Sequence, residues 1–362
     1  MSESNLVGEL AKQDYTSQTW AEGENWSITV WNEDGVNDAS AIYQIRIPLP
    51  FSLRWVNAYA IYDQAEGWTL VDPGLRTAAA ELVWEQIIVQ MNLNQGGVAC
   101  IVLTHYHPDH LGLAGWLQQR FQVPVLMSEI GWKHAQMLWG AGQTMTAEMQ
   151  RLLQQHGVSQ QVSELVGEHM DSFIPLVSPL PQVTLVGDGE IVRFGGREWQ
   201  VIETHGHAPG HLSFYNEQCR VLLAGDHVLP QISPNVSYMP GSDPEPLHHF
   251  LLGLERLAQL DAVLVLPGHR HPFVYFHSRI EDLLGHHEQR LTELRAMLVT
   301  EQTAQELCSQ LFGSIERLTI HQFRFAMGET LAHLTELQWR KQVTTRQVDK
   351  VTVWKATAPA SD

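Results

Sequence analysis

A layered α/β domain followed by a smaller helical unit is the fold class that this sequence predicts, on three observations. Between residues 41 and 127, short β-prone runs alternate with amphipathic helical periods, the pattern of helices packed on a sheet. Four apolar runs end in clusters of histidine, aspartate and glycine, which gathers polar residues at strand ends. After Pro272 the strand pattern gives way to leucines at three-four spacing.

An acidic lead rich in Trp, Asn and Gly runs to about residue 40 and is expected to open with flexible residues before a first strand near Ala41–Ile47. Strands follow at Ala58–Tyr62 and Thr69–Val71. Thr77–Asn92 reads as a helix, because Ala78, Leu82, Val83, Ile87 and Met91 recur near a period of 3.6. Val98–Leu103 is an apolar strand, His110–Phe121 a helix with its leucines on the sheet, and Pro124–Met127 the next strand. Residues 128–180 break the rhythm with Trp132, Met137, Leu138, Trp139, Met149, Met170 and Phe173 on two or three helices. This insertion is either a subdomain with its own core or a lid whose Met and Trp side chains accept an apolar acyl chain. Strands return at Trp199–Glu203, Val221–Ala224 and Ala262–Leu266, and the proline-rich segment Leu229–Gly241 reads as a pocket-lining loop.

Ile280–Val299 forms a long helix with one buried seam at Leu284, His287, Leu291, Leu294 and Leu298. Thr303 and Glu306 make a capping box that opens a second helix, and Phe323–Trp339 is a third. Thr344–Arg346 and Val351–Trp354 flank a turn at Asp349-Lys350, so helix, helix and hairpin draw a winged-helix outline. Residues 301–362 carry seven Lys or Arg and seven Asp or Glu. This neutral unit is expected to serve as a pocket wall or dimer element rather than a DNA reader.

Composition narrows the surroundings. The chain has 362 residues, 44% of them apolar, enough for a full core plus a second unit. No apolar stretch approaches the roughly 20 residues that span a bilayer. Met1-Ser2-Glu3-Ser4-Asn5 has neither the positive flank nor the apolar region of a signal peptide. Cys100, Cys219 and Cys308 fall in apolar segments and are expected to be buried thiols, which suits a reducing cytoplasm. The net charge of −18, from 22 basic and 40 acidic residues, opposes gripping a phosphate backbone.

The chemistry lies at the strand ends. His105, His107, Asp109 and His110 directly follow the Val98–Leu103 strand; alternation sends His105 and His107 to one side, and Pro108 bends the chain. Imidazole and carboxylate are the donors that borderline cations prefer, and packed this closely they need a cation between them. The same setting recurs at His205-Gly206-His207 and His211, at Gly225-Asp226-His227, and at Pro267-Gly268-His269. Glycine beside a ligand lets the backbone approach an ion.

In this order the motifs His105-x-His107-x-Asp109-His110, Gly206-His207-x-x-Gly210-His211, Gly225-Asp226 and Pro267-Gly268-His269, with Asn57-Ala58-Tyr59 and Leu70–Gly74 upstream, resemble those of the metallo-β-lactamase-fold hydrolase superfamily. Within it the chain is similar to the branch with a winged-helix-like tail, and less so to glyoxalase II, which shares the ligand set. The resemblance implies a four-layer αβ/βα sandwich over residues 1–275 with a helical insertion at 128–180, a connecting helix at 276–300 and a winged-helix-like unit at 301–362. It implies that His105, His107 and His207 hold one divalent ion, that Asp109, His110 and His269 hold a second, and that Asp226 bridges them. Zinc is the default, and iron or manganese suits the same donors.

A hydroxide shared by the ions would be the nucleophile, and Asp109 would also orient it and carry its proton. His211 is expected to hydrogen-bond behind the ligands or to touch substrate, and Asp72 to orient a ligand histidine or simply to shape its turn. Alternation makes His205, His227 and His271 structural. The expected function is therefore dinuclear metal-dependent hydrolysis of an ester-like bond, a thioester or lactone first. The alternatives are a metal-dependent ribonuclease or phosphodiesterase and a catalytically idle metal-binding protein. Expected partners are a small-molecule substrate and a second copy in a homodimer, with no DNA and no membrane; a periplasmic β-lactamase would need an export signal.

Overall fold

The computed structural model describes residues 15–33 and 41–358. Its first sheet has eight strands in chain order: β1 (Tyr15–Glu22), β2 (Ser27–Glu33), β3 (Ile42–Pro48), β4 (Trp55–Asp63), β5 (Gly67–Val71), β6 (Val98–Val102), β7 (Val125–Met127) and β8 (Val183–Leu185). Strands β1 to β5 are antiparallel neighbours, whereas β5 to β8 run parallel. Parallel pairing demands crossovers, and helix α1 (Ala78–Gln90) supplies the one between β5 and β6. The Thr77 hydroxyl accepts the Ala80 N–H and fixes where α1 starts.

The second sheet holds β9 (Ile191–Phe194), β10 (Arg197–Thr204), β11 (His211–Asn216), β12 (Val221–Gly225) and β13 (Leu264–Pro267), in the order β13-β12-β11-β10-β9. Alternation settles what fills each layer. Cys100 and Val102 of β6 share a core with Trp199, Val201, Leu223, Leu264 and Leu266 of the second sheet. Their neighbours Ile101 and Leu103 point the other way and join the core that includes Trp84 and Ile87 of α1. On the second sheet Leu222 and Ala224 likewise leave the inter-sheet core for the one containing Phe250 and Leu254. The result is helix, sheet, sheet, helix.

In the first sheet and its helices two sequence expectations need correction. The lead before residue 40 contains β1 and β2, which precede the expected first strand. In β1 only Tyr15 is buried, so its alternation carries little apolar signal, whereas Ile28 and Val30 of β2 do point inward. The flexible opening expected there falls on residues 1–14, outside the described residues. The helix expected at His110–Phe121 is two, α2 (Pro108–Leu111) and α3 (Ala114–Phe121). Between them the Leu113 N–H donates to the Gly74 carbonyl at 2.8 Å, leaving the helical ladder to tie the site strand's helix to the end of β5. Gly112 permits this: a Cβ there would meet Pro108 O, Leu176 O and Arg76 N within 2.5–2.8 Å.

The insertion comprises three helices, α4 (Glu129–Trp139), α5 (Met145–Gln155) and α6 (Gln160–Asp171). After α7 (Pro246–Leu257) and β13, a 22-residue helix α8 (Phe276–Met297) buries His287, Leu291 and Leu294. Then come β14 (Gln302–Thr303), α9 (Ala304–Phe312), α10 (Ile320–Trp339), β15 (Val343–Val348) and β16 (Val351–Ala356), with the three short strands paired β14-β16-β15. Both predicted turn residues, Asp349 and Lys350, have positive φ, at 48° and 71°, matching the twist of a two-residue hairpin. Helix α10 begins three residues before its expected start, because Thr319 and Gln322 form a second capping box. Cys100 and Cys308 are buried, but Cys219 is half-buried. Among the described residues no helix is long and apolar enough to cross a membrane.

Candidate metal centre

The C-terminal ends of β5, β6, β10, β12 and β13 converge on one place and bring all seven predicted ligand residues together. His105 Nε2 lies 3.0 Å from His107 Nδ1 and 3.3 Å from His207 Nε2. His269 Nε2 is 3.1 Å from Asp109 Oδ2, and His110 Nε2 is 3.9 Å from the same oxygen. One oxygen, Asp226 Oδ2, faces both trios, at 3.7 Å from His207 Nε2, 3.4 Å from His110 Nε2 and 3.3 Å from His269 Nε2. His105, His107 and His207, and separately Asp109, His110 and His269, are groups that could each hold a metal ion.

The donor set fits cations on its own physics. Three imidazole nitrogens crowded at 3.0 and 3.3 Å can share an N–H between two of them, whereas a cation would engage all three lone pairs at once. His110 Nε2 and Asp226 Oδ1 are buried with no hydrogen-bond partner among the described residues, an arrangement that costs several kcal/mol when nothing compensates it. The opposite ring nitrogens are engaged, as in metal sites whose imidazoles are oriented from behind. His207 Nδ1 donates to the Asn235 carbonyl at 2.8 Å, and His269 Nδ1 to the Trp55 carbonyl at 3.2 Å.

Asp72 is the node behind the other two. It sits at positive φ, 49°, and accepts the Thr104 N–H at 2.8 Å, the Thr104 hydroxyl at 2.6 Å and His110 Nδ1 at 2.9 Å. The same hydroxyl receives His105 Nδ1 at 2.9 Å, so one carboxylate orients a histidine of each trio. Asp72→Asn keeps the shape and tolerates the positive φ but loses acceptor capacity. It is expected to weaken binding at both ion positions by about 10- to 100-fold, read by titration against a competing chelator. Unchanged affinity would return Asp72 to a turn residue.

Electrostatics divides the cluster. Burial, reinforced by neighbouring imidazoles, holds His105 and His107 well below the usual histidine range, so both are neutral and ready to ligate. Burial also lowers His207, against the pull of Asp226. In the other trio burial opposes the charge on His110, yet Asp226, Asp109 and Asp72 hold it well above the usual range. His269 is raised to about 10 in the same way, against burial, by Asp226 and Asp109. Burial alone would raise both carboxylates, but His110 and His269 keep Asp109 and Asp226 low. In the absence of ions, imidazolium charges therefore neutralise these carboxylates, and a metal entering here displaces protons.

Three histidines beside the predicted ligands stay outside both trios. His211 is fully buried and its Nε2 accepts the Asp226 N–H at 3.1 Å, so it fixes the backbone of the central aspartate and does not line the cavity. His205 points away, its Nδ1 accepting the Gly210 N–H and its Nε2 near Glu203. His227 packs against α7, where a Cβ on Gly253 would come within 2.5 Å of its ring.

Above the cluster lies a cavity of about 500 Å³. Tyr106, Leu138, Trp139, Met170 and Phe173 line one side, so the insertion does overhang the site. Leu318, His321, Arg324 and Phe325 of the C-terminal unit line another, and Leu229, Ile232 and Asn235 of the proline-rich loop a third. The loop Leu229–Gly241 lines the cavity as expected, but sequence reasoning missed Thr104, Trp55, Arg324 and the orienting role of Asn235. Asn235 and Trp55 act through backbone carbonyls, which leave no trace in side-chain identity. Arg324, a cation set in sequence between Phe323 and Phe325, was a readable signal.

A four-layer sandwich with imidazoles and carboxylates gathered at the open ends of its strands defines a class of metal-dependent hydrolases. The chain belongs to the metallo-beta-lactamase superfamily, whose family model matches residues 54–269, and a metallo-beta-lactamase-like C-terminal domain matches residues 291–357. It is 27% identical over 313 residues to the probable metallo-hydrolase YqjP of Bacillus subtilis, covering 84% of this chain and 94% of that protein. It is also 26% identical to the hydroxyacylglutathione hydrolase GloC of Haemophilus influenzae, covering 61% of this chain and 88% of that protein. Among solved structures, a metallo-beta-lactamase family protein from Thermus thermophilus superposes with a TM-score of 0.77 at 33% identity, covering 87% of this chain and 98% of that one. The protein is thus a metallo-hydrolase of this superfamily.

Proposed function

We propose that the protein hydrolyses an acyl thioester, with a lactone as the nearest alternative, at a centre of two divalent ions. The observation that carries this reading is the cavity. Leu138, Trp139, Met170 and Phe173 of the insertion, with Leu229 and Ile232 opposite, give it an apolar stretch that suits an acyl chain, while His107, Asp109, His207, Asp226 and His269 meet the reacting end. The name of the Haemophilus relative, a hydrolase of hydroxyacylglutathione, points to the same bond.

Bound there, the ions would supply an acidified water at neutral pH and a Lewis acid for the carbonyl oxygen. His105, His107 and His207 would hold one, Asp109, His110 and His269 the other, and Asp226 both; zinc is the ion we favour. Asp109 is the more open of the two carboxylates, with its side chain 19% exposed against 7% for Asp226. That exposure supports a role in which Asp109 would take the proton of the attacking water and return it to the leaving sulfur. Trp139 and Phe173 exclude bulk water from the acyl side.

The expected result is that kcat/KM rises with acyl length, by up to about fourfold per methylene, since each buried CH₂ contributes roughly 0.8 kcal/mol until the cavity is full. Acyl thioesters and lactones of increasing length, assayed beside single-stranded RNA with chelated enzyme as blank, test this. Metal-dependent cleavage of RNA without turnover of either acyl series would overturn it.

A further inference from the structure

The cavity contains a cation that hydrolysis at the metal centre does not use. Arg324 lies on α10, half-buried, and lines the cavity. Its guanidinium carbon is 4.3 Å from the centre of the Phe325 ring. Its Nε is buried with no hydrogen-bond partner, and among the described residues no carboxylate pairs with it. Burial lowers it only to about 10, so it remains charged at neutral pH.

Nothing among the described residues nearby compensates that charge. His321, on the same wall, stacks on Phe51 at 5.1 Å, and its Nδ1 is 3.1 Å from His169 Nε2. Burial and then the charge of Arg324 hold His321 down to about 4, so it is neutral. The acidic residues on the cavity wall are committed elsewhere. Asp243 is held by His249 at 2.8 Å, Glu329 is hydrogen-bonded by Asn235, and Asp109 and Asp226 belong to the metal cluster. In a chain with 40 acidic and 22 basic residues, an arginine without a carboxylate in the substrate cavity is an unfavourable placement that an anionic ligand would offset.

We propose that Arg324 receives an anionic group, a carboxylate or phosphate, that the substrate carries apart from its scissile bond. This deepens the thioester reading and rests on it for the substrate class: an acyl thioester with a negative charge either on its acyl chain or on its thiol half. Phe325 adds an aromatic face against the guanidinium, so apolar contact and charge are read together.

The test compares three thioesters: hexanoyl-N-acetylcysteamine, which is neutral, adipyl-N-acetylcysteamine, charged on the acyl half, and hexanoyl-glutathione, charged on the thiol half. For Arg324→Met, the kcat/KM ratio of at least one charged substrate to the neutral one is expected to fall about 10-fold or more, mainly through KM, with partial recovery in Arg324→Lys. Whichever ratio falls locates the anion. Equal ratios in wild type and Arg324→Met for both charged substrates would overturn the proposal. If the wild type cleaves none of the three, the thioester reading has failed, and calorimetry decides on Arg324 alone. With metal-loaded protein, the best of the four- to eight-carbon dicarboxylates should then bind about 10-fold more tightly than its monocarboxylate, and Arg324→Met should abolish that advantage. Equal affinities for the two in the wild type would overturn the proposal.

Discussion

Asp226→Ala is expected to reduce bound metal from about two ions per chain to less than one and to lower hydrolysis by about a thousandfold or more. Asp226 Oδ2 lies within 3.7 Å of His207, His110 and His269 alike, so its removal detaches both trios at once. Several kcal/mol of charge stabilisation are at stake, and each 1.36 kcal/mol is a factor of ten in rate. The variant also removes one of the carboxylates that favour the charged forms of His110 and His269, leaving Asp109 beside both. Their buried rings then revert toward the neutral state. His205→Ala, whose ring faces Glu203 and Gly210, should leave metal content and rate within about twofold of wild type, as surface substitutions away from a site usually do. Elemental analysis beside initial rates for both variants decides. Two tightly held ions in Asp226→Ala, or equal damage in His205→Ala, would refute the assignment.

The contrast between these residues shows what the sequence could reveal. Ligands on strand ends are legible because a strand delivers its last side chains to a fixed edge, and the glycines beside them mark close approach. The layered core was legible for the same reason, since Ile101 and Val102 must face opposite sides. What was not legible acts through backbone or through distant elements. His207 is oriented by the Asn235 carbonyl, and Asn235 Nδ2 in turn reaches the Phe325 carbonyl on α10 at 3.5 Å. The Tyr238 N–H donates to the Gly328 carbonyl at 3.0 Å, and a Cβ at Gly328 would strike Ser237. The loop that orients His207 is thus seated on a helix roughly 90 residues downstream, a relation that no local pattern encodes. The break between α2 and α3 was hidden similarly, because the carbonyl that captures Leu113 belongs to Gly74.

Gly268→Ala is expected to cost about 100- to 1000-fold in metal affinity, with activity falling in parallel, while the fold survives. Alanine suits the backbone at this position, whose φ lies outside the left-handed region. The conflict is with the site: the added Cβ would come 2.2 Å from Asp226 Oδ1 and 2.6 Å from His110 Cε1, well inside contact distance. Relief by moving the turn is blocked. The Gly268 N–H donates to the Gly225 carbonyl at 2.8 Å, and its own carbonyl accepts the Asn57 N–H at 2.7 Å. The Asn57 amide also holds the Pro267 and Arg270 carbonyls, and the Tyr59 hydroxyl donates to Pro267 as well. The displacement must therefore fall on Asp226, which faces both trios, and on His110, at a cost of a few kcal/mol typical of overpacking. Gly285→Ala, on an open face of α8 with nothing within 4 Å, serves as the control and should be neutral or stabilising by up to about 1 kcal/mol. Chelator competition, thermal melting and circular dichroism on both variants make the comparison. Wild-type metal affinity in Gly268→Ala would mean that the turn yields, and that the Asn57 and Tyr59 clamp does not hold His269 and its neighbours in place.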